Sequence, residues 1–141
     1  MDWLPLDVIR QFLHVISASI WVGGQLVMIA LLPTVRSHGT EVSKAAGRAY
    51  NRLAWPAFGF LVLTGIWNIL ERSFSGDGII VISLKLTLVF FSGLGAASHQ
   101  WASSRMSPDA KGRTFLLASG ATISTLFAIA AMYLGLLLMR V

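Results

Sequence analysis

The sequence predicts an all-α integral membrane protein, a four-helix bundle, and three observations predict it. Hydrophobic residues make up 55% of the chain and charged ones only 12%, a balance too apolar for a soluble domain of 141 residues. Three runs, 11–35, 53–70 and 114–139, contain no Asp, Glu, Lys or Arg, and a fourth, 78–104, is interrupted only by Lys85. Each approaches or exceeds the roughly 20 residues needed to cross a hydrocarbon core. The third observation is where the charges fall. Arg36, Lys44, Arg48 and Arg52 lie between the first two runs, and Arg105, Lys111 and Arg113 between the last two.

That placement decides what the net charge of +5 means. Basic residues gathered in two short inter-helix segments read as cytoplasmic loops rather than as a nucleic-acid surface. Both termini and the 71–78 turn, with Glu71, Arg72, Asp77 and two glycines, are then extracytoplasmic. The partner is a lipid bilayer, with no nucleic acid. A signal peptide places positive charge before its apolar region, whereas here Asp2 and Asp7 precede it and Arg36 follows. The first helix is therefore expected to be retained. The chain has no cysteine, which excludes disulfides, thiolate metal sites and cysteine nucleophiles.

Taken in order, Trp3 to Leu6 form an interfacial lead-in, with Trp3 at headgroup level. The first helix is expected over about 7–32, ended by Pro33. Residues 37–51 set Val42, Ala45, Ala46 and Ala49 against Lys44, Arg48 and Arg52, an amphipathic pattern expected to lie along the cytoplasmic surface. The second helix is expected over 53–70, with Pro56 in its first turn and Gly59 and Gly65 permitting close contact. The third, 79–101, carries Ser92, Gly93, Gly95 and Ala96, and the fourth, 114–138, carries Gly120, Ser124, Ala128 and Ala131. Small residues let membrane helices approach closely; a bundle this small often also self-associates, so a homo-oligomer is open, with these faces either shared or consumed internally. One domain over 1–141 is the economical reading.

Polar residues inside these helices mark candidate sites, because an ionisable side chain in hydrocarbon is costly. With a rise of about 1.5 Å per residue, His14, Lys85, Thr64 and Tyr133 all fall about 9–10 Å inside the outer boundary, one on each helix. Residues seven apart return to one helical face. His14, Trp21 and Met28 form such a stripe, and so do Lys85, Ser92 and His99. His99 lies about 21 Å below Lys85 by helical rise. It and His38 belong near the cytoplasmic surface.

The string "LHVISASIWVGG" from Leu13 to Gly24, with Pro33 beyond it, resembles the first helix of the copper resistance D (CopD) family. "LKLTLV", Leu84 to Val89, resembles the third-helix lysine motif of that family and of the related HemJ-type protoporphyrinogen oxidases. The HemJ resemblance implies haem b and functional roles for His14 and Lys85, with Trp21 nearby. The fourth helix lacks the acidic, proline-containing Asn-Glu-x-Pro motif of the HemJ group. The CopD resemblance implies copper movement across or into a bacterial-type inner membrane.

Two ligand chemistries are then open, and a third reading has no ligand. In the first, His14 is an axial ligand of haem b. Lys85 ligates as the neutral amine or pairs with a propionate, Arg10 serves the other propionate, and Tyr133 and Thr64 hydrogen-bond in the pocket. Such a protein would be a redox or porphyrin-related membrane protein, an oxidoreductase among the options. In the second, copper is handled by a ladder of Met28 and His14 that Met132 could extend, although Cu(I) favours softer donors than this chain supplies. In the third, the polar layer locks helix packing in an accessory subunit.

Overall fold

The structure is a computed structural model describing residues 5–140, and it is all-helical. Its elements are α1 (Leu6–Ser37), α2 (Thr40–Leu70), α3 (Asp77–Arg105) and α4 (Arg113–Leu137). All four are long and apolar enough to cross a membrane, as expected for a multi-pass membrane protein. Trp3 lies outside the described residues.

Two elements run further than their sequence pattern suggests. Pro33 does not end α1; it sits inside the helix. The ring forfeits one hydrogen bond, to the Ile29 carbonyl, and the helix carries on for a turn. It stops at His38 and Gly39, where Gly39 takes φ +104°, a conformation that favours glycine.

The larger difference concerns residues 37–51. Instead of a separate surface segment, most of this stretch is the first part of α2, which continues unbroken from Thr40 to Leu70. Pro56 therefore lies in mid-helix, not in a first turn. No glycine with positive φ separates the charged stretch from the apolar one, and membrane helices tolerate an interior proline. At about 1.5 Å per residue, α1 and α2 are each about 46–48 Å long. The hydrocarbon core is about 30 Å thick, so both helices extend well past it.

The chain divides into two compact units, Met1–Ser73 and Phe74–Val141. The first contains the α1–α2 pair and the second the α3–α4 pair. In the first unit, Ser17, Trp21, Val22 and Gln25 of α1 and Ala54, Ala57 and Thr64 of α2 are buried. Gly65 packs against α1 as its small size suggests, but Gly59 does not: nothing lies within 4 Å of the point where its Cβ would be.

The second unit follows the small-residue pattern closely. Ser92, Gly93 and Gly95 of α3 and Gly120, Ser124, Ala128 and Ala131 of α4 are all buried. Ser92 Oγ donates to the Ser124 carbonyl at 2.8 Å. A Cβ on Gly95 would meet the Gly120 carbonyl oxygen at 2.8 Å, and one on Gly120 would meet the Gly95 carbonyl oxygen at 2.7 Å. The backbones are in contact here, which only glycine allows.

Candidate functional site

The α1–α2 pair builds a polar ladder with two rungs. On α1, Arg10 and His14 are one helical turn apart; on α2, Thr64 and Asn68 are likewise one turn apart, so all four side chains face the seam between the helices. Arg10 Nε donates to Asn68 Oδ1 at 2.8 Å. One turn deeper, His14 Nδ1 and Thr64 Oγ1 are 3.0 Å apart. Since the helices are antiparallel, four residues along α1 correspond to four residues back along α2.

The second rung sets the chemistry of the imidazole. Thr64 Oγ1 donates its single proton within α2, to the Phe60 carbonyl at 2.6 Å with Leu61 at 3.2 Å. Toward His14 the hydroxyl therefore accepts, and Nδ1 is the donor. With the proton on Nδ1, the lone pair of the neutral ring is on Nε2. Thr64 is buried, at 5% exposure, while His14 is half-buried. Gly65 gives the ring its room, since a Cβ there would sit 3.4 Å from His14 Cε1.

The first rung has an aromatic support. The Arg10 guanidinium carbon lies 5.7 Å from the centroid of the Trp67 ring, within range of a cation–π attraction. Trp67 Nε1 in turn donates to Glu71 Oε1 at 3.3 Å. Asn68 and Trp67 thus hold Arg10 from two sides. Neither stood out in the sequence, where tryptophan near a helix end is ordinary, but Asn68 has a legible signal: it follows Thr64 by four residues, as Arg10 precedes His14.

Trp21 shares the His14 stripe but lies about 10 Å deeper by helical rise. It is 2% exposed, with its centroid 4.4 Å from Phe58 and 5.7 Å from Trp55. Tyr50, which no sequence pattern singles out, donates its hydroxyl to the Trp21 carbonyl at 3.5 Å. Its ring fills the space beside Gly24, whose Cβ would lie 2.6 Å from Tyr50 Cε2. The structure thus places Trp21 in an aromatic cluster below the His14 rung.

In the second unit, Lys85 is half-buried and its Nζ rests against α4, 3.1 Å from where a Cβ of Gly135 would be. The Ser92–Ser124 contact sets the α3–α4 register, and by it Gly135 lies a turn further along α4 than the level of the Lys85 backbone. The lysine stem therefore runs toward the start of α3, the direction in which helical side chains tilt. Tyr133 is 61% exposed and Met132 47%, so neither is a core residue of this pair. His99 is half-buried rather than simply solvated, with Nδ1 donating to the Leu117 carbonyl at 2.8 Å. His38 is exposed, as expected.

Arg10, His14 and Thr64 are thus brought together within one helix pair, with Trp21 below them, while Lys85 and Tyr133 belong to the other pair. Among the described residues, no group of three or more His, Cys, Asp or Glu side chains is placed to hold a metal ion. Comparison with known proteins leaves the reading to this geometry, for no family model, curated protein or solved structure matches the chain.

Proposed function

We propose that the chain is a CopD-like membrane protein that binds haem b through His14, in the outer half of the membrane, and serves redox or porphyrin chemistry. One contact carries the reading: His14 Nδ1 lies 3.0 Å from Thr64 Oγ1, whose own proton goes to the Phe60 carbonyl, and a proton on Nδ1 leaves the lone pair of the neutral ring on Nε2. Metal-ligating histidines are oriented in this way, by a hydrogen bond from the nitrogen that does not ligate. The donor set suits a porphyrin better than a bare ion. Haem brings four nitrogens of its own and needs only one or two axial ligands, whereas a chelated ion needs several protein donors.

His14 would hold the iron, Thr64 would keep the ring in its tautomer, and Arg10, one turn toward the membrane surface, would meet a propionate. Lys85 lies in the second unit; its role as a second ligand or a propionate partner is what the family resemblance implies, and its substitution tests that role. Bound haem would supply one-electron chemistry; the protein supplies ligation, orientation and a low-dielectric surrounding.

The test is the visible spectrum, oxidised and reduced, of detergent-purified protein, with metal analysis of the same sample. A Soret band near one haem per chain is expected. A colourless sample containing copper would replace this reading with copper transport, and one with neither would favour a structural accessory subunit. Lys85→Met is expected to lower haem content or shift the reduced spectrum. An unchanged spectrum would remove Lys85 from the site and leave it as a lysine whose stem reaches toward the interface.

A further inference from the structure

We infer that Arg48 and Arg52, extended by Lys44, form a docking surface for the headgroup of an anionic phospholipid whose acyl chains lie on the same face of α2. The face is defined by spacing. Lys44, Arg48, Arg52, Pro56, Gly59, Leu63, Ile66 and Leu70 recur at steps of three and four residues, a single stripe along a helix. Every one of them is exposed, and the stripe lies opposite the buried α1-facing positions Ala54, Ala57 and Thr64.

In its outer part this stripe is apolar, with Leu63 65%, Ile66 47% and Leu70 80% exposed. Exposed leucine and isoleucine on a membrane-spanning helix face acyl chains. Because α2 continues unbroken into the basic stretch, the same face turns from apolar to cationic without changing direction. Measured from Leu70, about 20 residues of helix cross the hydrocarbon core, which puts Arg52 at the far boundary and Arg48 a turn beyond, at phosphate level.

Among the described residues, neither arginine is in direct ion-pair contact with a carboxylate, and Glu41 feels Arg48 only at longer range, as the last of the influences that lower its pKa. Among the described residues, the ion pair in this stretch is Lys44 with Glu41, at 3.0 Å. Gly59 adds shape: with nothing within 4 Å of its Cβ position, it leaves a shallow notch between Pro56 and Leu63 where a chain can lie. Arginine's planar fork matches a phosphate oxygen pair, and basic groups next to a membrane span draw anionic lipid.

The experiment uses the full chain reconstituted in phosphatidylcholine bilayers containing brominated phosphatidylglycerol or, separately, brominated phosphatidylcholine at equal mole fraction. The readout is quenching of tryptophan fluorescence, with Trp55 three residues from Arg52. Quenching by the anionic lipid is expected to show a relative affinity about fivefold higher, the worth of one basic group near the surface, and to weaken at high salt. R48Q/R52Q is expected to bring the ratio near one, whereas R48K/R52K, which keeps the charge and reports on folding, retains most of it. R105Q/K111Q, in the other basic segment, is expected to leave it intact. Equal quenching by both lipids in the wild type, a preference surviving R48Q/R52Q, or an equal loss in R105Q/K111Q would overturn the assignment.

Discussion

Alanine at Gly95 or Gly120 is expected to destabilise the α3–α4 pair by about 1–3 kcal/mol each, the usual cost of overpacking a tight contact. The reason is that both new methyl groups would point at backbone. The Gly95 Cβ position is 2.8 Å from the Gly120 carbonyl oxygen and 2.9 Å from the Ser124 nitrogen. The Gly120 position is 2.7 Å from the Gly95 carbonyl oxygen, 2.8 Å from Ser98 Oγ and 3.0 Å from the His99 nitrogen. Backbone cannot swing aside as a side chain can, so the helices must separate. Separation also stretches the Ser92–Ser124 and His99–Leu117 hydrogen bonds, which cross the same seam.

The proper control is Gly23→Ala, because nothing lies within 4 Å of that Cβ position and alanine is the better helix former. Equilibrium unfolding in detergent, followed by circular dichroism, should show a clear loss for Gly95→Ala and Gly120→Ala and no loss for Gly23→Ala. Equal stability of all three would mean that the α3–α4 contact is looser than the backbone distances require.

Replacing His14 by alanine is expected to remove most bound haem while leaving helix content and membrane insertion unchanged. The side chain is half-buried on one face of a long helix, so its loss should not unfold the pair. What it removes is the Nε2 lone pair. Full haem retention in His14→Ala would sink the proposed ligation. Thr64 gives a graded test of the same idea. Thr64→Val keeps the shape but loses the acceptor for Nδ1–H, and is expected to weaken haem binding about tenfold or more, as loss of an orienting partner commonly does. Thr64→Ser restores the hydroxyl and should recover most of the affinity. A Thr64→Val variant with unchanged affinity and spectrum would show that the hydrogen bond serves packing alone.

Much of this was legible in the residues, and the exceptions have physical causes. Four helices could be read from charge-free runs because hydrocarbon admits few charges. Helix ends were less legible: Pro33 and Pro56 look like boundaries, yet each costs a helix only one hydrogen bond, and around Pro56 the remaining bonds have no water to compete with them. The charged stretch before Arg52 reads as a surface segment by composition, but it is helical in continuity with residues 53–70. Composition reports the surroundings of a segment and not where its backbone turns.

His14 was conspicuous as an ionisable group in a membrane span, and Thr64 as a polar group at the same depth. Their direct contact was not readable, because depth along an axis leaves rotation about that axis undetermined. The same limit applies to Gly59 and Gly65, six residues apart on one helix and alike in sequence. Gly65 abuts His14, while Gly59 faces outward.

By itself the sequence determined the all-α membrane class, the number of spans and the small-residue faces of α3 and α4, since each follows from composition or from a period set by the helix. Only the tertiary structure decided that α2 is one helix, that Arg10 meets Asn68, and that His14 meets Thr64. Those outcomes depend on how helices are rotated and offset against each other, which contact between side chains fixes and no one-dimensional pattern records.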